Sequence, residues 1–206
     1  MRKLRFEDIE FNVTEEVFDY PPTYIEPGIL HEPNTYKYAL SVLKTFNDDD
    51  VFIDVGGCFG IFSLMIQKGM AVIFEPSPEN AAIIIRNITL NPEKNIKLIP
   101  LALADKGGIN YYIKRHQLPG MTKTIFGEGD LKTAVLDDFE IEGNVKMIKV
   151  DTEGHDNEVL LGGKKFLEKY HPIIITENPP SIWLLDMGYK IKGIYDGLNT
   201  VLIYDI

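Results

Sequence analysis

The stretch VFIDVGGCFGIFSLMIQKG, residues 51–69, decides the fold. Its opening VFIDV (51–55) is a short, apolar, β-branched run, the composition of a strand buried on both faces. Gly56 and Gly57 break that strand, and residues 59–69 read as a helix ending at Gly69. A strand, a glycine turn and a helix make the first crossover of an open α/β sheet. Such sheets bind ligands outside the carboxyl ends of their strands, at the switch point.

Working outward, the alternation continues. MAVIFE (70–75) reads as a second strand, and SPENAAIIIRNITLN (77–91) as a helix with Ser77 as N-cap and Pro78 at its first position. IKLIP (96–100) is a third strand. Residues 105–139 interrupt the rhythm. INYYIK (109–114) and LKTAVLDDF (131–139) look like strands around a loop rich in Gly, Pro and Thr, which marks an insertion. VKMIKVD (145–151) resumes the buried strands, followed by a helix over 156–170 interrupted at Gly162–Gly163. PIIITE (172–177) is a strand, SIWLLDMG (181–188) a short helix, and the remainder pairs as a hairpin around Asp196–Gly197.

Upstream, NTYKYALSVLKTF (34–46) has apolar residues at helical spacing with Asn34 as N-cap. Residues 1–32, with Pro21, Pro22 and Pro27, read as irregular or short-stranded and wrapped on the domain. The expected fold is an α/β sandwich of Rossmann-like type. It has a mostly parallel seven-stranded sheet with one antiparallel strand, plus a small β insertion. One domain covers 1–206, with a cap segment 1–46 and a core 47–206.

Composition narrows the partners. Asp and Glu number 31 against 21 Lys and Arg, a net charge of −10 in 206 residues. An acidic surface repels phosphate backbones and anionic lipids, so neither nucleic acid nor a membrane is an expected partner. Cys58 is the single cysteine, which precludes an intrachain disulfide and fits a reducing compartment. The opening MRKLRFEDIEFN has no apolar h-region, and no apolar run reaches the length of a membrane span. The expected location is cytoplasmic.

The glycine turn chooses between two ligand classes. A dinucleotide site wants G-x-G-x-x-G beside a pyrophosphate. Counted back from Gly60 and Gly57, the first glycine is replaced by Val55; anchored on Gly56, it is replaced by Asp54. A carboxylate beside a pyrophosphate has the wrong sign. Beside the ammonium and sulfonium of S-adenosylmethionine (SAM) it has the right one. Glu75 ends the second strand 21 positions after Asp54, where an acid accepts hydrogen bonds from ribose hydroxyls. Pro76 shapes the loop beside the base.

These segments together resemble the FkbM family of methyltransferases. IDVGGCFG (53–60), FEPSPEN (74–80) with Asn87 and Asn91, LALAD (101–105), VLDDF (135–139), IKVDTEGHDNEVLLGG (148–163) and PIIITE (172–177) carry the likeness. The resemblance implies a class I methyltransferase fold and SAM as cofactor. It also implies O-methylation of a hydroxyl on a sugar, glycan or secondary metabolite. It assigns the SAM loop to Asp54, Gly56, Gly57, Cys58, Phe59 and Gly60, the ribose to Glu75 with Pro76 following, and the adenine-side segment to Ala102, Leu103 and Ala104. It places Asp151, Glu153 and Gly154 in the motif closing the fourth strand. The sequence departs from the family at Cys58, commonly Asn, and at Gly57, commonly Ala.

SAM is an activated donor, so the protein must align the acceptor oxygen and take its proton. Asp151, Glu153 and His155 cluster at a strand end on the same edge as the glycine turn. His155 suits general-base work near neutrality, and Asp151 or Glu153 can orient the acceptor or act as the base instead. Some methyltransferases of this fold hold Mg²⁺ with residues placed like Asp151, Glu177 and Asn178. The resemblance does not imply that site, and no metal is expected. His116 stands in a basic loop with Lys114, Arg115 and Lys123, read as a substrate lid. Segments 1–46 and 106–130 build the acceptor pocket. The competing readings are a non-catalytic SAM-binding protein and an NAD(P)-dependent oxidoreductase, the latter disfavoured by Asp54.

Overall fold

The structure, a computed structural model, describes residues 1–18, 25–26, 29–116 and 122–205. The expectations for Pro21, Pro22, Pro27 and the tip of the basic loop at 117–121 fall outside these residues.

The chain opens with a hairpin, β1 (Arg2–Phe6) and β2 (Ile9–Val13), a 3-10 turn at Glu15–Val17, a two-residue ladder, β3 (Ile25–Glu26) and β4 (Ile29–Leu30), and α1 (Pro33–Leu43). The core then runs β5 (Asp50–Val55), α2 (Ile61–Leu64), β6 (Met70–Phe74), α3 (Pro78–Thr89) and β7 (Ile96–Ile99). The insertion supplies β8 (Asn110–Lys114), β9 (Lys123–Phe126) and β10 (Leu131–Lys132). The core closes with β11 (Asn144–Val150), α4 (Asp156–Leu161), α5 (Lys164–Tyr170), β12 (Ile173–Thr176), α6 (Ile182–Asp186), β13 (Tyr189–Tyr195) and β14 (Asn199–Tyr204).

The main sheet has seven strands in the order β13-β14-β12-β11-β5-β6-β7. β14 runs antiparallel to both its neighbours, and the other neighbouring pairs are parallel. The chain starts the sheet at β5, winds out to β7, then returns to β11 on the other side of β5. The switch point therefore lies between the carboxyl ends of β5 and β11.

Period-two alternation divides the core between the two faces. Phe52, Ile73, Met147, Ile175 and Val201 pack on one face with Leu40 and Leu43 of α1 and with Leu4, Phe11 and Val13 of the N-terminal hairpin. Ile53, Val72, Ile148, Ile174 and Leu202 pack on the other with Val159 and Leu167. Each such buried side chain stabilises the fold by about 1.5–3 kcal/mol relative to exposure. The expected α/β sandwich, antiparallel strand and β insertion are all present.

Local differences have tertiary causes. The helix read over 59–69 is only Ile61–Leu64, because Met65 and Ile66 are pulled fully into the core. The strand read over 131–139 stops at Lys132, and Leu136–Asp138 forms a 3-10 turn instead. That turn aims Asp137 at α5, where its carboxylate accepts from the Phe166 amide at 2.9 Å. β9 was hidden in what reads as loop; it pairs with β8, Tyr111 opposite Phe126. Asn34 is not the N-cap of α1. Pro33 leads the helix, and Asp196 of the β13–β14 turn caps it from across the fold. The Asp196 carboxylate accepts from the amide and side chain of both Asn34 and Thr35, the two from Thr35 at 2.8 Å.

Candidate active site

The glycine turn brings two strand ends within contact. Gly56 has φ +80°, and a Cβ there would overlap the Asp151 carbonyl oxygen. Its amide donates to the Phe74 carbonyl at 2.8 Å, tying the ends of β5 and β6 together. Cys58 follows with φ +51°, and Glu153 on the facing loop has φ +55°. Left-handed backbone at non-glycine residues is held only where the surroundings enforce it, and such residues gather at functional sites.

Between these loops lies an open crevice. Gly56, Cys58, Glu75, Pro76, Ala102 and Leu103 line one side; Asp151, Thr152, Glu153 and His155 line the other. Thr122, Thr124 and Phe126 reach it from the insertion. The residues read from the sequence thus converge, with exceptions. Asp54 is 1% exposed behind the turn, its carboxylate accepting from the Ser63 hydroxyl at 2.7 Å. Phe59 and Ala104 are buried behind the lining, and Gly57 and Gly60 shape the turn, the Gly60 amide donating to the Gly57 carbonyl at 2.6 Å.

The electrostatics are set by burial. Glu75 accepts from the amides of Cys58 and Ser77, both at 2.9 Å. Burial nevertheless pushes its pKa up to about 7, outweighing those bonds. Burial also raises Asp54 and Cys58, so the Cys58 thiol stays protonated and is no nucleophile. Glu153 is raised by burial and then by the Asp151 charge. Glu177 is pushed up to about 7 by burial and by Asp151, Glu153 and Asp156. His155 stands at the N-terminus of α4, its ring 4.4 Å from that of Phe126.

Three residues that motif reading passed over organise the site. Lys149 is 3% exposed, and its ammonium sits 2.7 Å from Asp151 Oδ2 and 4.7 Å from the centre of the Phe62 ring. Burial opposes its charge, yet Asp151, Glu32 and Asp54 raise its pKa and keep it an ammonium. Asp156 is fully buried. Its carboxylate accepts from the amide and hydroxyl of Thr152 at 2.9 and 2.8 Å, from the Thr176 hydroxyl at 2.9 Å and from the Glu177 amide at 3.0 Å. It thereby fixes the loops leaving β11 and β12. Tyr36 of α1 stacks on Phe62 at 3.8 Å. The signal available for Lys149 and Asp156 was a charge in or beside an apolar run. Among the described residues, no group of three or more His, Cys, Asp and Glu side chains is placed to hold a metal ion. None of their helices is long and apolar enough to cross a membrane.

Asn87 and Asn91 turn out to be fasteners. Asn87 accepts from the Thr14 amide and donates to the Phe59 carbonyl, both at 2.9 Å, so it joins β2 to the glycine turn. Asn91 accepts from the Asn12 amide at 2.8 Å.

A seven-stranded sheet with this order and one antiparallel strand, bearing a glycine turn and acid-ended strands at its switch point, defines a class I methyltransferase. The chain belongs to the FkbM methyltransferase family: residues 54–183 match the Methyltransferase FkbM domain. It is 28% identical over 139 residues to the hexuronic acid methyltransferase AglP of Haloferax volcanii, covering 65% of this chain. The chain spans 58% of that relative's length. Among solved structures, it is similar to the methyltransferase FkbM from Methylobacillus flagellatus, with a TM-score of 0.55 at 17% identity, over 78% of this chain and 44% of the other. It also resembles the tRNA (uracil-54, C5)-methyltransferase of Pyrococcus abyssi in complex with S-adenosyl-L-homocysteine. There the TM-score is 0.52 at 11% identity, over 98% of this chain and 43% of the other.

Proposed function

We propose that the enzyme methylates a hydroxyl of a sugar or glycan, holding SAM in the crevice between Glu75 and Asp151. The observation that carries the reading is this crevice at the switch point, with a ribose-type acid on one wall and a carboxylate–histidine cluster on the other. The chain's residues fit the cofactor. The free lone pairs of Glu75 suit ribose hydroxyls, the walls of Pro76, Ala102 and Leu103 suit a flat base, and Gly56 and Cys58 present backbone to the methionyl chain. Asp54, Gly57, Phe59, Gly60 and Ala104 support that wall from behind.

When bound, SAM supplies a methyl group on a positively charged sulfur, ready for displacement. Asp151, steadied by Lys149, orients the acceptor hydroxyl. The acceptor hydroxyl proton would pass to Glu153 or His155 as that oxygen becomes the nucleophile. Burial makes Glu153 more basic than a solvated carboxylate, which favours this role.

The class of acceptor is read from charge. On a chain of net −10, Lys114 and Lys123 are exposed and paired across β8 and β9 of the insertion, whose Thr122, Thr124 and Phe126 line the crevice, while Arg115 is paired with Glu79. Together with the hexuronic acid named for the Haloferax relative, this favours an acidic sugar. Labelled methyl transfer from SAM to glucuronides tests the reading, with neutral glycosides as the comparison. His155→Ala and Glu153→Gln are each expected to cut turnover at least tenfold, with SAM affinity within about threefold of the parent. Unchanged turnover in both removes the cluster from the reaction.

A further inference from the structure

The insertion reads from sequence as an acceptor lid, yet the structure sets it against the other half of the site. Three residues of its second strand region, Thr122, Thr124 and Phe126, line the same crevice as Glu75, Pro76, Asn80, Ala102 and Leu103. An internal bond and a tie to the wall hold it there. Thr133, just past β10, accepts at its hydroxyl from the Ile109 amide at 3.0 Å, while its neighbour Ala134 exchanges backbone bonds with Ala102 and Ala104, each at 3.0 Å. The small sheet β10-β8-β9 is thus anchored to the segment that follows β7, directly beside the crevice wall. On the far side, the Phe126 ring meets His155 at 4.4 Å with 55° between the planes, so the roof spans from the Glu75 wall to the start of α4.

We propose that the β8–β9 hairpin is the roof of the adenosyl half of the donor site, with Phe126 lying over the adenine nucleoside opposite Leu103. This rests on the reading that SAM occupies the crevice. Chemistry supports the assignment. An aromatic face and threonine side chains above an apolar floor suit a base, whose π-face stacks on aromatic rings. The charged groups of β8 and β9, Lys114 and Lys123, are exposed to solvent and do not line the crevice.

Two ligands that need no acceptor test this: S-adenosylhomocysteine, and adenosine, which lacks the amino-acid chain. By titration calorimetry, Phe126→Ala should weaken both by the same factor, roughly tenfold, the scale of one lost base–aromatic stack. Phe126→Tyr should restore most of the affinity. Equal losses with aromatic rescue establish the roof. Homocysteine-ligand affinity within twofold of the parent in Phe126→Ala overturns it and returns the hairpin to the acceptor. A loss confined to S-adenosylhomocysteine, sparing adenosine, overturns it in favour of a contact to the methionyl chain. Hydrogen exchange on the unaltered protein needs no variant. Saturating S-adenosylhomocysteine should slow the amides of 110–114 and 123–126, and unchanged exchange there overturns the proposal. Failure of the unaltered protein to bind either ligand instead sinks the placement of SAM in the crevice.

Discussion

Along the carboxyl edge of the sheet, the half from β5 to β7 and the half from β11 to β14 are held by different means. The first is fixed by backbone close approach and uncharged amide side chains as well as one acid: Gly56 against the Asp151 carbonyl, Asn87 reaching 73 residues to Thr14, and Glu75 gripping the amides of Ser77 and Cys58, 2 and 17 residues away. The second is fixed by buried or capping carboxylates. Asp156 bridges 20 residues to Thr176, Asp137 bridges 29 to Phe166, and Asp196 bridges 161 to Thr35. The β5–β7 side of the crevice thus leans on backbone shape, and the β11–β14 side on buried polar side chains.

The largest expected effect would come from Gly56→Ala. The added methyl meets the Asp151 carbonyl and φ +80° disfavours it, so the thermal midpoint should fall by about 10 °C or more. A midpoint close to the parent's, read by scanning calorimetry, would break the claim that backbone shape holds the β5 half. Glu75→Gln sharpens the same comparison at the level of binding. Loss of charge-assisted bonds to ribose should weaken SAM by roughly tenfold to a hundredfold, measured by calorimetry.

Acidity gives a further handle on Glu75. Its folded pKa of about 7 lies above its ordinary 4.5, so the folded chain binds more protons than the unfolded one between these values. This carboxyl therefore makes the unliganded protein less stable as pH rises from about 4.5 to 7, and the penalty is constant above that window. Ribose hydroxyls favour the charged form, so SAM affinity should climb as pH passes through about 7. Titrations across this range should show that climb in the parent and a flatter line in Glu75→Gln. The smallest effect falls on the other half. Asp196→Ala should cost about 1 kcal/mol of cap energy and a few degrees of midpoint, leaving SAM affinity untouched. A large loss of SAM affinity would show that the two halves are not separable.

The same contrast explains what the sequence made legible. Gly56, Glu75 and Pro76 could be read into the crevice lining because a crossover turn and a strand-end acid need particular residues at fixed spacing, whereas Asp54, read as facing the ligand, is buried against Ser63. The mostly parallel sheet followed from the alternation of apolar runs, and its antiparallel strand from the closing hairpin. Asp156 could not be read as a site organiser, since its partners come from the ends of two strands, and Lys149, although only two residues from Asp151, stands in what reads as an apolar buried strand. The cap of α1 was misassigned to Asn34 for the same reason: local pattern names a cap, but a distant carboxylate won the helix end. β9 escaped notice because a four-residue strand among Gly, Pro and Thr has too few apolar positions to show a period.

The fastening of α1 by Asp196 also sets a schedule. A ribosome adds about 5–20 residues per second, so the helix emerges and waits roughly 10–30 s for the carboxylate that satisfies its first amides. By then the β5–β7 layer with its glycine turn is already outside the exit tunnel. Each newborn molecule therefore has the β5–β7 side of the crevice synthesised before the opposite side can be locked down, and a stalled or shortened product would carry the former without the latter.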